Sequence, residues 1–132
     1  MKCLIAEDHL LSRRILKELL SPQFDCDIVV NGQEAIDSFM LAHESKRPYD
    51  AIFLDIMMPE VDGLEALQCI RALERRMNIP HALWVKVIMV TALDDPRTVF
   101  RSFNECEADS FIVKPLSRHK LANELRKLNL LH

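Results

Sequence analysis

Five short apolar runs punctuate the chain, and each stops abruptly at a polar residue or a turn. Lys2 to Ala6 stops at Glu7-Asp8, and Asp27 to Val30 stops at Asn31-Gly32. Ala51 to Leu54 stops at Asp55, Val87 to Val90 at Thr91-Ala92, and Ser110 to Val113 at Lys114-Pro115. Runs of this length without polar alternation read as strands buried on both faces. Helical periodicity fills the gaps. Leu11, Ile15 and Leu19, widened by Leu16 and Leu20, predict a helix from about His9 to Leu20, closed by Ser21-Pro22. Ala35, Ile36, Phe39 and Met40 predict a second from about Gln33 to His43. Leu64, Leu67, Ile70 and Leu73 predict a third that starts near Gly63 and ends at Asn78-Ile79-Pro80. Its charged residues Arg71, Glu74, Arg75 and Arg76 read as a solvated face. Asp94-Asp95-Pro96 is a helix start, with Val99, Phe103 and Cys106 as the apolar stripe that follows. Ser117 caps a last helix that buries Leu121, Leu125 and Leu128.

Strict alternation of strand and helix with short connections implies an α/β fold: a parallel sheet covered on both faces. In such a sheet every strand's C-terminal end lies on one edge, where open α/β sheets place their ligands. That edge would collect Glu7, Asp8, Asp55, Thr91 and Lys114. For Asp55 alone, a strand-end residue that caps a turn is the plain alternative. The polar connection before Val87 is longer than usual, and its Trp84 is expected to pack against the end of the third helix.

Composition narrows the function classes. With 132 residues the chain suits one domain, residues 1–132, able to build a core without staples. Half of it is hydrophobic and the net charge is −3, which fits neither disorder nor nucleic-acid binding by charge. No apolar run reaches membrane-spanning length, and Glu7-Asp8 cuts the first run too short for a signal peptide. A cytoplasmic location with no membrane contact is therefore expected. Cys3, Cys26, Cys69 and Cys106 lack metal-site spacing and read as ordinary thiols, although Cys3 and Cys26 become neighbours if their strands pair. Only Gly32 and Gly63 are glycine, which argues against a glycine-rich phosphate loop.

Glu7-Asp8, Asp55 with the tail Met57-Met58-Pro59 and Asp62-Gly63, Thr91-Ala92 and Lys114-Pro115, in this order and each after an apolar run, resemble the receiver domain of bacterial two-component response regulators. The resemblance covers essentially the whole chain. It implies a flavodoxin-like, doubly wound sheet of order 2-1-3-4-5. It implies that Asp55 accepts a phosphoryl group from a sensor histidine kinase or phosphotransfer protein. Mg²⁺ or Mn²⁺ would be held by Asp8, Asp55 and the backbone carbonyl of Met57, with Glu7 acting through water; clustered acids with all-oxygen donors suit such an ion. Thr91, the Ala92 amide and Lys114 would sense the phosphoryl group. A cis peptide bond at Lys114-Pro115 is implied, as is a switch role for Phe111, which read by itself is a core aromatic.

Two positions and one departure follow from the same resemblance. Met57 and Leu93 lie where the attacking water passes during loss of the phosphoryl group; both are apolar, so a phosphoryl lifetime of minutes or longer is expected, unless they are merely tolerated at the rim. Glu107 stands where the family has Gly, and a reshaped turn before the fifth strand is expected there, since left-handed backbone is costly for Glu. Output is expected through the face of the fourth helix, fifth strand and last helix, with Arg97, Arg101, Arg118 and Lys120 as charges for an acidic partner. Asp109-Ser110 replaces the two-Asp run of the dimerising branch, so a monomer is expected. The chain would be a switch and not an enzyme, acting through protein contacts because no sequence is left for an effector domain. A phospho-aspartyl phosphatase is the alternative in another class, opposed by Met57 where that chemistry wants a second Asp. A phosphorylation-independent interaction domain is the third reading.

Overall fold

The computed structural model describes residues 1–131. Five strands, β1 (Lys2–Ala6), β2 (Asp25–Val29), β3 (Ala51–Leu54), β4 (Lys86–Thr91) and β5 (Ser110–Val113), form one parallel sheet of order β2-β1-β3-β4-β5. Helices α1 (Leu10–Leu20), α2 (Gly32–Glu44), α3 (Gly63–Arg76), α4 (Pro96–Phe100) and α5 (Arg118–Lys127) alternate with them. The second strand begins earlier than the apolar run suggests. In-register pairing from Lys2↔Asp25 to Ala6↔Val29 recruits polar Asp25 and Cys26, which an exposed edge strand accepts.

Side-chain alternation along the buried strands divides the core in two. Leu4, Ala6, Ile52, Leu54, Val87 and Met89 face Ala35 and Phe39 of α2 and Leu64, Leu67 and Ile70 of α3. Cys3, Ile5, Phe53, Ile88, Val90 and Ile112 face Leu16 and Leu20 of α1 and Leu121 and Leu125 of α5. Short polar side chains start the helices by accepting orphan backbone amides. Asn31 accepts from Glu34, Asp62 from Glu65, Asp95 from Thr98 and Ser117 from Lys120. His9 plays this part for α1 through its ring nitrogen.

Four readings need correction. Leu11 is 62% exposed, because α1 turns Leu16 and Leu20 to the sheet; Leu11 instead lines a shallow apolar cavity with Ile15, Pro115 and Leu116. In the fourth helical segment, winding widens to a π-helix over Arg101–Glu105, with the Cys106 amide bonded to the Arg101 carbonyl at 3.0 Å. Ser102 therefore faces inward and Phe103 is exposed, while Cys106 stays buried.

The charged run of α3 is only half a solvated face: Arg75 and Arg76 are exposed as expected, but Arg71 and Glu74 are buried. Arg71 is 3% exposed and Glu74 0%. Arg71 Nη1 donates to Glu74 Oε1 at 2.7 Å and to the Val85 carbonyl at 2.9 Å. Its Nη2 donates to Asp109 Oδ2 at 2.9 Å, and Nε and Nη2 both reach the Glu107 carbonyl. Trp84 packs on the helix end as expected, its ring lying under the guanidinium groups of Arg71 and Arg75 and its indole N–H donating to the Ile79 carbonyl. The turn at Glu107 keeps left-handed backbone, φ 61°, without glycine. The bonds from Arg71 to the Glu107 carbonyl and the Arg75–Glu107 ion pair hold it there.

Candidate functional site

The C-terminal ends of β1, β3, β4 and β5 converge because the strands run parallel and in register. Ala6 pairs Leu54, Leu54 pairs Met89, and Thr91 pairs Val113. The residues just beyond these pairs, Glu7, Asp55 and Lys114, meet at the edge. One carboxylate oxygen each from Glu7, Asp8 and Asp55 lies within 4.8 Å of the others. Lys114 Nζ donates to Asp55 Oδ2 at 3.0 Å and to Glu7 Oε1. Glu7 and Asp55 are buried while Asp8 is exposed, so the cluster opens to solvent on the side of Asp8.

The loop after Asp55 is braced from behind. The Met57 amide donates to Asp55 Oδ1 at 3.3 Å, and the Gly63 amide to the Ile56 carbonyl at 2.8 Å. A Cβ on Gly63 would lie 2.0 Å from the Asp55 carbonyl oxygen, so no other residue allows this approach without shifting the backbone of Asp55. Gly32 likewise sits against the Val61 carbonyl and fixes the far end of the same loop. Both glycines of the chain thus hold the segment that presents Asp55.

Electrostatics follow from three clustered acids beside one ammonium, which pairs with two of them, Glu7 and Asp55. Burial, reinforced by Asp55, pushes the Glu7 carboxyl up to about 7, although Lys114 pulls the other way. Burial also opposes ionisation of Asp55, yet hydrogen bonds from Glu7, Lys114 and Thr91 outweigh it and hold Asp55 below the usual carboxylate range. For Lys114, burial disfavours the charge, but bonds to Glu7 and Asp55 keep it ionised to higher pH than an ordinary lysine. The arrangement is one ionised acceptor, one acid that holds its proton near neutrality, and one fixed cation.

The remaining residues singled out in the sequence fall around this centre. Thr91 is buried at the end of β4, and its hydroxyl accepts from the Leu93 amide at 3.4 Å. Ala92 is exposed, Leu93 packs against the core, and Met57 is 63% exposed at the mouth. The Lys114–Pro115 peptide bond is cis. Phe111 does not join the cluster; it pairs with Met89 across the strands and is half-buried against the α2/α3 core. Two neighbours were missed in the sequence. Arg13 reaches the Glu7 carbonyl at 3.4 Å, and the His9 amide reaches Glu7 Oε2 at the same distance. Neither stands at helical spacing from Glu7, which precedes α1, so apolar patterning held no signal for them.

A family model described as response regulator receiver domain matches residues 3–126. The response regulator protein VraR of Staphylococcus saprophyticus is 32% identical over 127 residues, 96% of this chain and 56% of that protein. This chain therefore spans little more than half the length of such curated relatives. Among solved structures, the CheX–CheY–BeF3–Mg²⁺ complex from Borrelia burgdorferi superposes with a TM-score of 0.81 at 26% identity, covering 98% of this chain and 89% of that one. The receiver domain of histidine kinase CKI1 from Arabidopsis thaliana, complexed with Mg²⁺ and BeF3⁻, gives 0.80 at 26% identity, covering 97% and 89%. The fold has the sheet order these receivers share, and the chain belongs to the family of response regulator receiver domains.

Proposed function

We propose that residues 1–132 act as one receiver unit whose Asp55 accepts a phosphoryl group from a histidine kinase or phosphotransfer protein. The carrying observation is an ionised, largely buried strand-end carboxylate that meets two further acids and one lysine at the sheet edge. An Asp55 oxygen attacks phosphorus, the bond from phosphorus to the donor's imidazole nitrogen breaks, and the electron pair returns to the imidazole. Lys114 holds the acceptor before transfer and neutralises phosphoryl oxygens after it. Thr91 and the amides of Met57 and Ala92 donate to those oxygens.

The all-oxygen donor set fits Mg²⁺ or Mn²⁺. Asp8, Asp55 and the Met57 carbonyl would hold it, with Glu7 through water. Such an ion offsets the charge of the clustered carboxylates and of the phosphoryl oxygens. Binding it would require Glu7 to give up the proton it holds near neutrality.

The receiver is a switch and not a turnover enzyme, and its output runs through α4, β5 and α5 after Thr91 and Phe111 move. Of the four basic residues on that side, Arg97 and Arg118 carry the charge offered to an acidic partner. Arg101 is paired with Glu105, and Lys120 donates to the Val113 and Pro115 carbonyls. Asp109 is engaged by Arg71 of its own chain, which supports a monomer. No helix among the described residues is long and apolar enough to cross a membrane, and a cytoplasmic location fits.

Incubation with acetyl phosphate and Mg²⁺ followed by intact mass tests the reading. Wild type gains one phosphoryl mass and Asp55→Asn gains none. Steady phosphate release would favour the phosphatase alternative, and no labelling at all the phosphorylation-independent one. Met57 and Leu93 offer an incoming water no hydrogen bond, so the label persists for minutes or longer. Met57→Asn/Leu93→Glu shortens it, and a wild-type half-life of seconds that these changes leave alone would refute that part.

A further inference from the structure

Cys3 and Cys26 are exact register partners on adjacent parallel strands, so their side chains leave the sheet on the same face. Their Sγ atoms are 3.3 Å apart. Adjacent strands run about 4.8 Å apart, within the Cα separation of roughly 4.4–6.8 Å that a disulfide spans. Cys3 is fully buried, whereas Cys26 is half-buried on β2, the last strand of the sheet on that side. The other two thiols, exposed Cys69 and buried Cys106, are free as well, and neither forms such a pair.

We propose that Cys3 and Cys26 form a redox-active dithiol that closes to a disulfide and staples the edge strand β2 to β1. The oxidant is a small disulfide of the glutathione class. Cys26 is the entry point. Its sulfur is the accessible one and accepts the Cys3 S–H, which favours its thiolate. The Cys26 thiolate attacks one sulfur of the oxidant, forming a mixed disulfide and releasing one thiolate. Cys3 then loses its proton and attacks the Cys26 sulfur, and the second thiolate leaves. Two protein thiols and one small disulfide thus give one protein disulfide and two small thiols.

The surroundings set the pace. Burial raises both thiols, Cys3 well above the ordinary cysteine range. Asp25 and Asp27 on β2 also oppose the thiolate, and Lys17 from α1 favours it at Cys26. Closure is therefore slow at neutral pH and accelerates as pH rises. The bond lies beneath α1, at the opposite end of β1 from Glu7, and its readouts are independent of Asp55 labelling.

The test uses the folded chain carrying Cys69→Ser, which removes the exposed thiol. Native incubation with oxidised glutathione at mildly alkaline pH is expected to give a loss of two hydrogens by intact mass, reversed by dithiothreitol. Peptide mapping should join Cys3 to Cys26, and hydrogen exchange across β2 should slow. Cys3→Ser in the same background should stop at a glutathione adduct on Cys26, and Cys26→Ser should gain no disulfide. A persistent adduct on Cys26 with Cys3 intact, no reaction, or closure only in denaturant would each overturn the proposal.

Discussion

Two ionic clusters sit at opposite edges of the same sheet, and they are solved in opposite ways. At the N-terminal edge, Arg71 lies between Glu74 and Asp109, with every remaining donor on a backbone carbonyl and the second Glu74 oxygen on the Val85 amide. Among the described residues no buried side-chain polar atom lacks a partner. At the C-terminal edge, three acids cluster beside one lysine that pairs with only Glu7 and Asp55, and burial together with this imbalance pushes the Glu7 carboxyl up to about 7. A closed, satisfied cluster fixes geometry; an open one with surplus acids could hold a cation.

The largest difference should appear when the cation of each cluster is removed. Arg71→Met leaves Glu74 buried and unpaired and orphans the Val85 and Glu107 carbonyls. A loss of about 3–5 kcal/mol is expected in urea unfolding. Arg71→Met/Glu74→Gln should recover part of it, because the second change removes the stranded charge. Lys114→Met strands the Asp55 charge but should cost less than Arg71→Met, since Glu7 keeps its proton and can still hydrogen-bond Asp55 and the cluster opens to water at Asp8. Equal costs at the two edges would erase the distinction.

The open cluster was legible in the sequence and the closed one was not. Each site residue ends an apolar run, and a parallel sheet brings such ends together whatever the loops do. Arg71 and Glu74 instead carry the local pattern of a solvated helix face. What buries them is remote in sequence: the turn at His81–Leu83, Trp84, and the Glu107 to Asp109 turn. Phe103 failed for another reason, since the π-winding that turns it outward has no signature in apolar spacing.

The surplus charge of the open cluster makes a pH prediction whose sign is fixed. Folded Glu7 titrates near 7 against 4.5 for the free group, so between those values the folded chain binds more protons than the unfolded one. This contribution is present in full below about pH 4.5 and is lost as pH rises toward 7. Asp55, held low, works in the opposite sense, its stabilisation being lost only as pH falls through the carboxylate range. Relative to Glu7→Gln, wild type should lose roughly 1–3 kcal/mol across that window without divalent cation. A difference that stays flat would mean that Glu7 ionises normally.

Cation binding should reverse part of that loss. With a dissociation constant of about 1 mM, about 10 mM Mg²⁺ stabilises the fold by roughly 1.4 kcal/mol. Asp8→Asn should remove most of the gain while leaving Arg71 untouched. A melting temperature indifferent to Mg²⁺ in wild type would remove the reason for reading the surplus acids as a cation site.

The smallest effect probes how the closed cluster holds its turn. Left-handed backbone costs an ordinary residue about 1–2 kcal/mol, and Glu107 bears that cost at φ 61°. Its carboxylate pairs with Arg75, but both side chains are more than a third exposed, so that pair contributes at most about 1 kcal/mol. Glycine relieves the strain and loses the pair, while its freer unfolded chain offsets about 0.4–1 kcal/mol of the gain. Glu107→Gly should therefore lie within about 0.5 kcal/mol of wild type. Alanine loses the pair and keeps the strain, so Glu107→Ala should fall below Glu107→Gly by a few tenths to about 1 kcal/mol. The order of the two variants in chemical unfolding is the measurement. If Glu107→Ala equals wild type and Glu107→Gly falls below it, the Arg71 bonds to the Glu107 carbonyl hold the turn with no strain left to relieve.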